Sequence, residues 1–198
     1  MEELQALRRR LGPLPSRHER IRVDRLLLHR LAGKGGSLQE VVLVAHRPDG
    51  RVLLHTKRFY PAGVWRLPSG RLKEGESPEA AAQREAFEEL GLAASPQQLL
   101  GLLTYELEGE GETLPFASWI FGLAAGDLRP AVQDREEEIS DFRWAAATEL
   151  RAVAEQMDAL PPPWQGWGRF RAAAHAFVAD LLARGGRNPI TEGYAPWR

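Results

Sequence analysis

The segment from Ser77 to Gly91 contains a complete set of helix-boundary signals, and it constrains the fold more than any other part of the sequence. Ser77 supplies a capping hydroxyl, Pro78 follows where no backbone N–H is needed, and Gly91 is typical of the left-handed residue that ends a helix. These signals predict a helix over residues 78–90. Small or apolar residues recur every four positions on one side of it and suit close packing on a sheet: Ala82, Ala86 and Leu90.

The opposite side of the same helix carries three carboxylates. Glu85, Glu88 and Glu89 stand at positions i, i+3 and i+4, so their side chains are predicted to converge within about one helical turn. Three adjacent anions repel one another, and Arg84 alone cannot neutralise them. A divalent cation can, and a ligand set of oxygens without His or Cys favours Mg²⁺ or Mn²⁺. A solvated acidic helix face explains the three glutamates equally well when they are taken alone.

The loop before the helix favours the metal site over the solvated face. Residues Trp65 to Gly70 leave a predicted strand and turn at Gly70, and the chain then reaches the carboxylates. A glycine at this place allows the backbone to approach a metal ion or a phosphate group closely. We therefore expect a ligand site where this loop meets the helix.

The rest of the chain predicts an α/β fold. Runs of β-branched residues and leucines indicate strands at residues 21–29, 41–46, 51–56, 98–107, 115–123 and 139–144. Helix-spaced apolar positions indicate an N-terminal helix over residues 2–11 and a C-terminal pair over 147–159 and 168–184. The run Pro161–Pro163 separates that pair. We predict a mixed β-sheet sandwiched between helices, with an N-terminal extension and a C-terminal helical pair.

The composition limits the classes of protein and partner. The chain has 198 residues, which favours one domain, and 26 basic against 27 acidic residues give a net charge of −1. Such a balance provides no overall field that draws in nucleic acid or an anionic membrane. Cysteine is absent, which excludes thiolate metal sites and cysteine nucleophiles. Because no signal-peptide core and no run near the ~18 apolar residues of a membrane span occur, we expect a cytoplasmic protein without a membrane or specific nucleic-acid partner.

Several aromatic residues have two interpretations, as stacking partners for a ligand ring or as packing groups. Tyr105, Phe116 and Trp119 lie in predicted strands, which favours packing. Trp164 and Trp167 follow the proline run, which favours a structural turn anchored by tryptophan.

Residues Gly70 to Leu92 resemble the Nudix box, whose pattern is Gly, five residues, Glu, seven residues, Arg-Glu-aliphatic-any-Glu-Glu-any-Gly-aliphatic. Every fixed position is filled. Ala86 stands where a larger aliphatic residue is common, and Ser69 stands where a glycine or alanine usually follows the proline. The resemblance implies a single domain with the Nudix fold, made of an N-terminal extension, a core, and C-terminal helices with a tail, over residues 1–38, 39–146 and 147–198.

The resemblance also implies roles for individual residues. Glu85, Glu88 and Glu89 resemble the family's metal-binding glutamates, and the carbonyl of Ser69 occupies the place of a backbone ligand. Two further side chains resemble groups that orient Glu85 or supply a supporting acid: Arg84 and Glu76. The implied chemistry is attack of a metal-activated water on one phosphorus of a diphosphate, with Mg²⁺ or Mn²⁺ neutralising the developing charge. Inside the box, the predicted catalytic residues are Glu85, Glu89 and Arg84.

A general base is expected outside the box, because family members often place a glutamate on a loop well downstream. The acidic run from Asp134 to Glu138 falls in such a place, just before a predicted strand. Glu137 is the preferred member of the run, and Glu112 is a weaker candidate. A solvated acidic turn explains the run equally well.

The segment from Lys57 to Pro61 resembles the part of ADP-ribose and sugar-nucleotide hydrolases where an arginine meets phosphate. This resemblance predicts that Arg58 contacts the substrate, together with Trp65 and Gly70. The N-terminal extension suits the same group, whose extra strands often help to form a homodimer. No proline stands at the downstream position associated with ADP-ribose specificity, where Leu107 and Glu108 occur instead.

The expected substrate is therefore a small-molecule nucleoside diphosphate linked to another moiety, with the ADP-ribose or sugar-nucleotide type slightly favoured. Nucleoside triphosphates and dinucleoside polyphosphates stay open. The alternative from another class is a catalytically silent Nudix domain that senses a nucleotide, although such domains often lose box glutamates and this chain keeps them all. A third hypothesis, an RNA-end hydrolase, requires a basic channel for the polyanion.

Overall fold

The computed structural model describes residues 14–33, 37–93 and 98–184, so the predicted helix over 2–11 and the C-terminal tail lie outside the described residues. Two short 3₁₀ turns, Arg135–Glu137 and Ala147–Glu149, flank the last strand. In chain order the strands and helices are β1 (Ser16–Arg22), α1 (Arg25–Ala32), β2 (Gln39–His46), β3 (Arg51–Lys57), β4 (Ser69–Arg71), α2 (Pro78–Leu90), β5 (Gln98–Gly109), β6 (Glu112–Ala124), β7 (Ile139–Ala146), α3 (Leu150–Asp158) and α4 (Gln165–Arg184).

The strands within the described ranges form one mixed sheet. Six of them follow the order β1-β5-β6-β2-β3-β7, and the short β4 pairs with β2 beside this path. Parallel pairing joins β1 to β5 and β2 to β6, whereas β5 with β6 and β3 with β7 are antiparallel. β4 pairs antiparallel with β2, and in the observed register Ser69 lies opposite Val42 of β2.

Helices cover both faces of this sheet. Alternate residues of β2 point to opposite sides, as a strand period of two requires. Val41 and Leu43 belong to the apolar cluster that contains Ala82 and Ala86 of α2. Val42 belongs to a second cluster, which contains residues of α1, α3 and α4. The predicted α/β architecture, a mixed sheet between helices, is confirmed.

Helix α2 begins and ends where the sequence predicts. The Ser77 side chain accepts a hydrogen bond from the Ala80 N–H, and Gly91 adopts the left-handed conformation with φ of 69°. The small face lies fully buried against the sheet: Ala82, Ala86 and Leu90. This close packing fixes the rotation of α2 about its axis and hence the direction in which its glutamates point.

The strand predicted at residues 21–29 is wrong, because a strand and a helix share that range. β1 gives way to α1 at Asp24, whose carboxylate accepts a hydrogen bond from the Leu27 N–H at 2.8 Å. An aspartate at this position is a strong helix start, and leucine is a good helix former. The buried leucines of α1 then follow helical spacing: Leu27, Leu28 and Leu31.

Within the described residues, the remaining predicted elements are present with shifted ends. α3 begins at Leu150, after a 3₁₀ turn, and α4 begins at Gln165, three residues before the predicted start. β5 and β6 continue further toward their shared hairpin than the sequence indicated. In the described parts of the chain, no helix combines the length and the apolar character that a membrane crossing requires.

Candidate metal centre

Three carboxylates from two distant parts of the chain lie together beside α2. Glu85 and Glu89 stand one turn apart on α2, and Glu137 lies in the 3₁₀ turn before β7. Each places an oxygen within 4.8 Å of the other two, and we call this set the carboxylate trio. Glu85 and Glu89 are buried, whereas Glu137 is partly exposed and leaves the trio open to solvent. Carboxylate oxygens at this spacing are the donor set that a hard divalent cation prefers.

The position of Glu85 depends on the absence of a side chain at Gly70. A methyl group at Gly70 would lie 1.8 Å from the Glu85 carboxylate, a distance that atoms cannot share. The glycine of β4 therefore leaves the space in which the Glu85 carboxylate sits. This contact is the physical reason for a glycine here. The sequence alone indicated only a close approach of the backbone to a metal ion or a phosphate group.

Replacing Gly70 by alanine is expected to lower kcat/KM about 100-fold while changing the free energy of unfolding by less than about 1 kcal/mol. The atoms in the way are the end of a flexible side chain, so Glu85 can rotate away without unfolding the protein, but its carboxylate then leaves the trio. Steady-state kinetics check the loss of kcat/KM, and urea unfolding of the same preparation checks the free energy of unfolding. Gly122→Ala is the control, because its methyl group would meet Leu100 at an ordinary 3.4 Å. Equal activity losses in the two variants would contradict the assignment.

Glu89 is the most deeply buried member of the trio. Its Oε2 accepts a hydrogen bond from the Ser69 N–H at 3.0 Å. Its Oε1 has no hydrogen-bond partner, although Lys57 Nζ lies 3.6 Å away and an Arg66 nitrogen 3.8 Å away. Burial raises the pKa of Glu89 to about 8, and the two neighbouring cations only partly oppose this. A buried carboxylate oxygen without a partner is costly, and a bound cation would satisfy it, so the residues present fit a divalent metal.

Arg84 holds the outer side of the trio. It donates to Glu85 at 2.6 Å, to Glu88 at 2.8 Å and to Glu76 at 2.8 Å. Burial raises the pKa of Glu85, while the adjacent Arg84 guanidinium acts in the opposite direction. Glu88 does not join the trio, since its Oε2 accepts from Arg84 and its Oε1 faces Lys73 at 3.8 Å. Arg84 therefore meets three carboxylates, but they are not the three that the helix spacing predicts.

Glu137 reaches the trio because its loop is hydrogen-bonded to the end of α2. Three residues of this loop donate backbone N–H groups to carbonyls of the last helical turn at 2.9–3.2 Å: Ala131, Gln133 and Asp134. These carbonyls have no partner within the helix, so the loop satisfies them. The rest of the acidic run stays partly or fully exposed, and Asp134 caps the 3₁₀ turn. Glu112 is exposed at the β5–β6 hairpin and is not part of the trio.

Lys57 contacts the trio, and its neighbour Arg58 does not. Lys57 Nζ lies 2.6 Å from Glu137 and is mostly buried, whereas Arg58 is exposed and its backbone N–H donates to the Glu138 carbonyl. The end of β3 thus directs the lysine inward. The substrate contact expected of the adjacent Arg58 stays a prediction. Trp65 is half-buried, with the Arg143 guanidinium 5.4 Å from its ring centre.

The side chain of Ser69 joins β4 to helix α4. Its hydroxyl accepts hydrogen bonds from Arg66 at 2.6 Å and from Arg171 of α4 at 3.2 Å. Arg171 also forms an ion pair with Glu40 of β2 at 2.7 Å, and the Ser118 hydroxyl donates to the same carboxylate. Sequence reasoning missed this network. The detectable signal was Glu40, a carboxylate directly before the apolar run from Val41 to Ala45, where a buried charge needs a partner.

His175 of α4 makes a second link to the same loop. Its Nε2 accepts a hydrogen bond from the Leu67 N–H at 2.8 Å, and its Nδ1 donates to the Arg171 carbonyl at 2.8 Å. Accepting at Nε2 requires a neutral ring. Burial accordingly lowers the pKa of His175 from its ordinary 6.5 to about 4.

We expect the free energy of unfolding to fall as the pH is lowered from 6.5 toward 4, because the unfolded chain protonates His175 in that window and the folded chain does not. Above pH 6.5 both states carry a neutral ring and this contribution is constant. Urea unfolding at several pH values checks the slope. In His175→Gln, whose amide can keep both hydrogen bonds without titrating, the slope should be smaller than in the native chain. Parallel slopes in the two proteins would show that His175 is not the group responsible.

The aromatic residues of the sheet pack in the interior as the sequence favours. Tyr105, Phe116 and Trp119 are all buried. The Tyr105 hydroxyl pairs with Ser118 at 3.1 Å, and the Trp119 ring N–H donates to Gln39 at 2.8 Å. These three rings are therefore part of the core.

Comparison with known proteins places this site in a family. A family model for the NUDIX domain matches residues 37–164, which is more than half of the chain. The chain belongs to the Nudix hydrolase family. The match includes β2 through α3, and it contains every member of the carboxylate trio.

Two curated relatives and one solved structure illustrate the range of similarity. A Mycobacterium tuberculosis protein named "Putative 8-oxo-dGTP diphosphatase 3" is 32% identical over 142 residues, which cover 67% of this chain and 60% of the relative. The phosphatase NudJ of Escherichia coli is 27% identical over 110 residues, covering 56% of this chain and 69% of NudJ. The E. coli dihydroneopterin triphosphate pyrophosphohydrolase has 22% identity and a TM-score of 0.50 over 73% of this chain and 97% of that structure, which shows a shared fold. The chain spans about 60% of the length of the first of these relatives.

Proposed function

We propose that this chain is a metal-dependent pyrophosphohydrolase that acts on small nucleotide substrates. The observation that carries the proposal is the carboxylate trio, in which a buried oxygen of Glu89 accepts no hydrogen bond. Mg²⁺ or Mn²⁺ is the proposed cofactor, because every side-chain donor in the trio is an oxygen. The family match supports the same chemistry.

We propose that Glu85 and Glu89 hold the cation, with the Ser69 carbonyl as a further ligand. Glu88 is a further proposed ligand, and to reach the cation its carboxylate would have to turn away from Arg84 and Lys73. A cation bound there would offset the charge of a diphosphate and make water a better nucleophile. Glu137 is the proposed general base: it is the most exposed member of the trio, so a water molecule can reach it. Lys57, 2.6 Å from Glu137, keeps that carboxylate in place beside the cation site.

For the substrate, the names of the relatives favour a nucleoside triphosphate over the ADP-ribose type. The mycobacterial relative carries a name that refers to a triphosphate, 8-oxo-dGTP. The likeness at residues 57–61 led to Arg58 as a phosphate contact, but Arg58 is exposed and Lys57 is the cation beside the trio. We therefore place triphosphates first and ADP-ribose and sugar nucleotides second.

The test is a panel of both groups with Mg²⁺ or Mn²⁺, in water enriched in ¹⁸O, with products identified by mass spectrometry. The product that gains the label identifies the phosphorus that water attacks. Turnover of at least one nucleotide that requires the divalent cation is the expected result. Tight nucleotide binding without turnover under any divalent ion would favour the sensing domain, and strongly salt-dependent RNA binding would favour the RNA-end hydrolase.

We also propose that the chain is one domain. β1 extends the same sheet as the core strands, and α1 and α4 contribute to one shared apolar cluster. Limited proteolysis should therefore yield no stable fragment that ends between β1 and β2. Cytoplasmic location and a homodimer stay predictions, the latter checked by light scattering.

A further inference from the structure

An aromatic slot lies beside the metal centre and is formed by Phe59, Tyr60 and Trp164. The Phe59 and Trp164 rings are nearly parallel, with an interplanar angle of 19° and centroids 6.5 Å apart. The Tyr60 ring stands across both of them, at 79° to Phe59 and 82° to Trp164. Phe59 and Trp164 therefore form two nearly parallel walls, and Tyr60 stands roughly perpendicular to both.

The walls of the slot are not part of the hydrophobic core. Tyr60 and Trp167 pack against the main apolar cluster, whereas Phe59 and Trp164 do not. Phe59 is 52% exposed, so its ring is accessible to a ligand. Tyr60 and Trp167 thus anchor the turn after the proline run, whereas the Phe59 ring stays outside the core and open to solvent.

Tyr60 connects the slot to the carboxylate trio. Its hydroxyl accepts a hydrogen bond from Arg66 Nε at 2.7 Å, and another nitrogen of the same guanidinium lies 3.8 Å from Glu89. Since the guanidinium is a small rigid plane, the path from the Tyr60 hydroxyl to Glu89 spans no more than roughly 9 Å. One nucleotide can bridge a gap of this size, with its phosphates at the trio and its base further out.

On the basis of the proposed function, we propose that Phe59 and Trp164 bind the base of the nucleotide substrate between them. Stacked bases lie ~3.4 Å apart, so a base between two rings needs a separation of about 7 Å. The walls stand at 6.5 Å, and the exposed Phe59 side chain can move outward by the small difference. Apolar ring faces bind any base through stacking, and purines present the larger face. The slot therefore supplies affinity for a nucleoside and little discrimination between adenine and guanine.

The first test measures nucleoside binding without phosphate or metal. Adenosine and guanosine are titrated into the native chain and into each variant in EDTA, and binding is measured by isothermal titration calorimetry, whose signal does not depend on Trp164. Phe59→Ala and Trp164→Ala should each weaken binding about tenfold, and Trp164→Phe should restore most of it, because stacking needs a ring and not an indole. Phe87→Ala, which removes an equally exposed phenylalanine from α2, is the matched control and should bind as the native chain does.

The second test separates the slot from the chemistry. For a nucleotide substrate, the two alanine variants should raise KM about tenfold with kcat changed less than twofold, whereas hydrolysis of a ribose-linked diphosphate without a base should be unaffected. An unchanged KM and unchanged nucleoside binding in both variants would overturn the slot and leave the proposed function standing. Nucleoside binding that depends on Phe59 and Trp164, without hydrolysis of any nucleotide, would support the slot and overturn the proposed function.

Discussion

Replacing Glu89 by glutamine is expected to reduce kcat/KM by about 10³-fold or more, with the loss mainly in kcat. The amide keeps the size of the side chain but removes the charge that would bind a divalent cation, and Glu89 is the trio member with a buried oxygen that accepts no hydrogen bond. Steady-state kinetics across a range of Mg²⁺ and Mn²⁺ concentrations measure the effect. An active variant with the metal dependence of the native chain would show that the trio is not the reaction centre.

The same variant separates a chemical effect from unfolding. Burial of the Glu89 carboxylate opposes its charged form, so a neutral amide should leave the metal-free protein at least as stable as the native chain at pH above 8. Divalent cations should raise the Tm of the native chain and leave that of Glu89→Gln unchanged. Glu155→Gln, on the exposed side of α3, is the control and should behave as the native chain in both assays.

Local signals in the sequence predicted the parts of the fold that local interactions determine. The ends of α2 follow from Ser77, Pro78 and Gly91, each of which acts on its own few neighbours, and the structure has those ends. Asp24 gives the same kind of signal, but the leucine run after it predicts a strand where the structure has helix α1. The error shows that a cap residue carries more information than the leucines that follow it, because leucine is common in helices and strands alike.

The candidate site was predictable only where its members share one helix. The spacing of Glu85 and Glu89 places them on one face, but it does not say that Glu88 turns to Arg84. Glu137 was a preference within an acidic run, and its place depends on backbone bonds from its loop to the end of α2. Lys57 contacts the trio, whereas the sequence singles out only its neighbour Arg58, as a substrate contact. No periodicity encodes the direction of a side chain at the end of a strand.

The contacts of helix α4 with the site were beyond sequence reasoning. Arg171 is 131 residues from Glu40 and 102 from Ser69, so no local pattern relates them. Only the packing of α4 on the sheet brings the three together. Ser69 departs from the family pattern, in which a glycine or alanine is usual. The structure explains the serine, because its hydroxyl accepts hydrogen bonds from Arg66 and Arg171 that glycine or alanine could not accept.

This buried network leads to the largest expected effect on stability. Replacing Arg171 by methionine should lower the free energy of unfolding by about 3–5 kcal/mol, because it leaves the Glu40 carboxylate buried without its ion-pair partner. Glu40 is 1% exposed, so water cannot replace the lost guanidinium. Urea unfolding measures the change. Arg169→Met, two residues earlier on the same helix and half-buried, controls for the general effect of losing an arginine from α4.

A double variant shows whether the penalty comes from the unpaired charge or from lost packing. Glu40→Gln with Arg171→Met removes both charges, so its free energy of unfolding should recover a large part of the loss seen in Arg171→Met alone. Losses that simply add would mean that the two residues do not interact, which would contradict the 2.7 Å ion pair.

Activity in the double variant then tests the role of the link between Arg171 and Ser69. Ser69 keeps its hydrogen bond from Arg66, so kcat should fall much less than in Glu89→Gln. The C-terminal helix would thus act mainly through stability, by holding β4 against β2, and the trio would remain the part of the molecule on which catalysis depends.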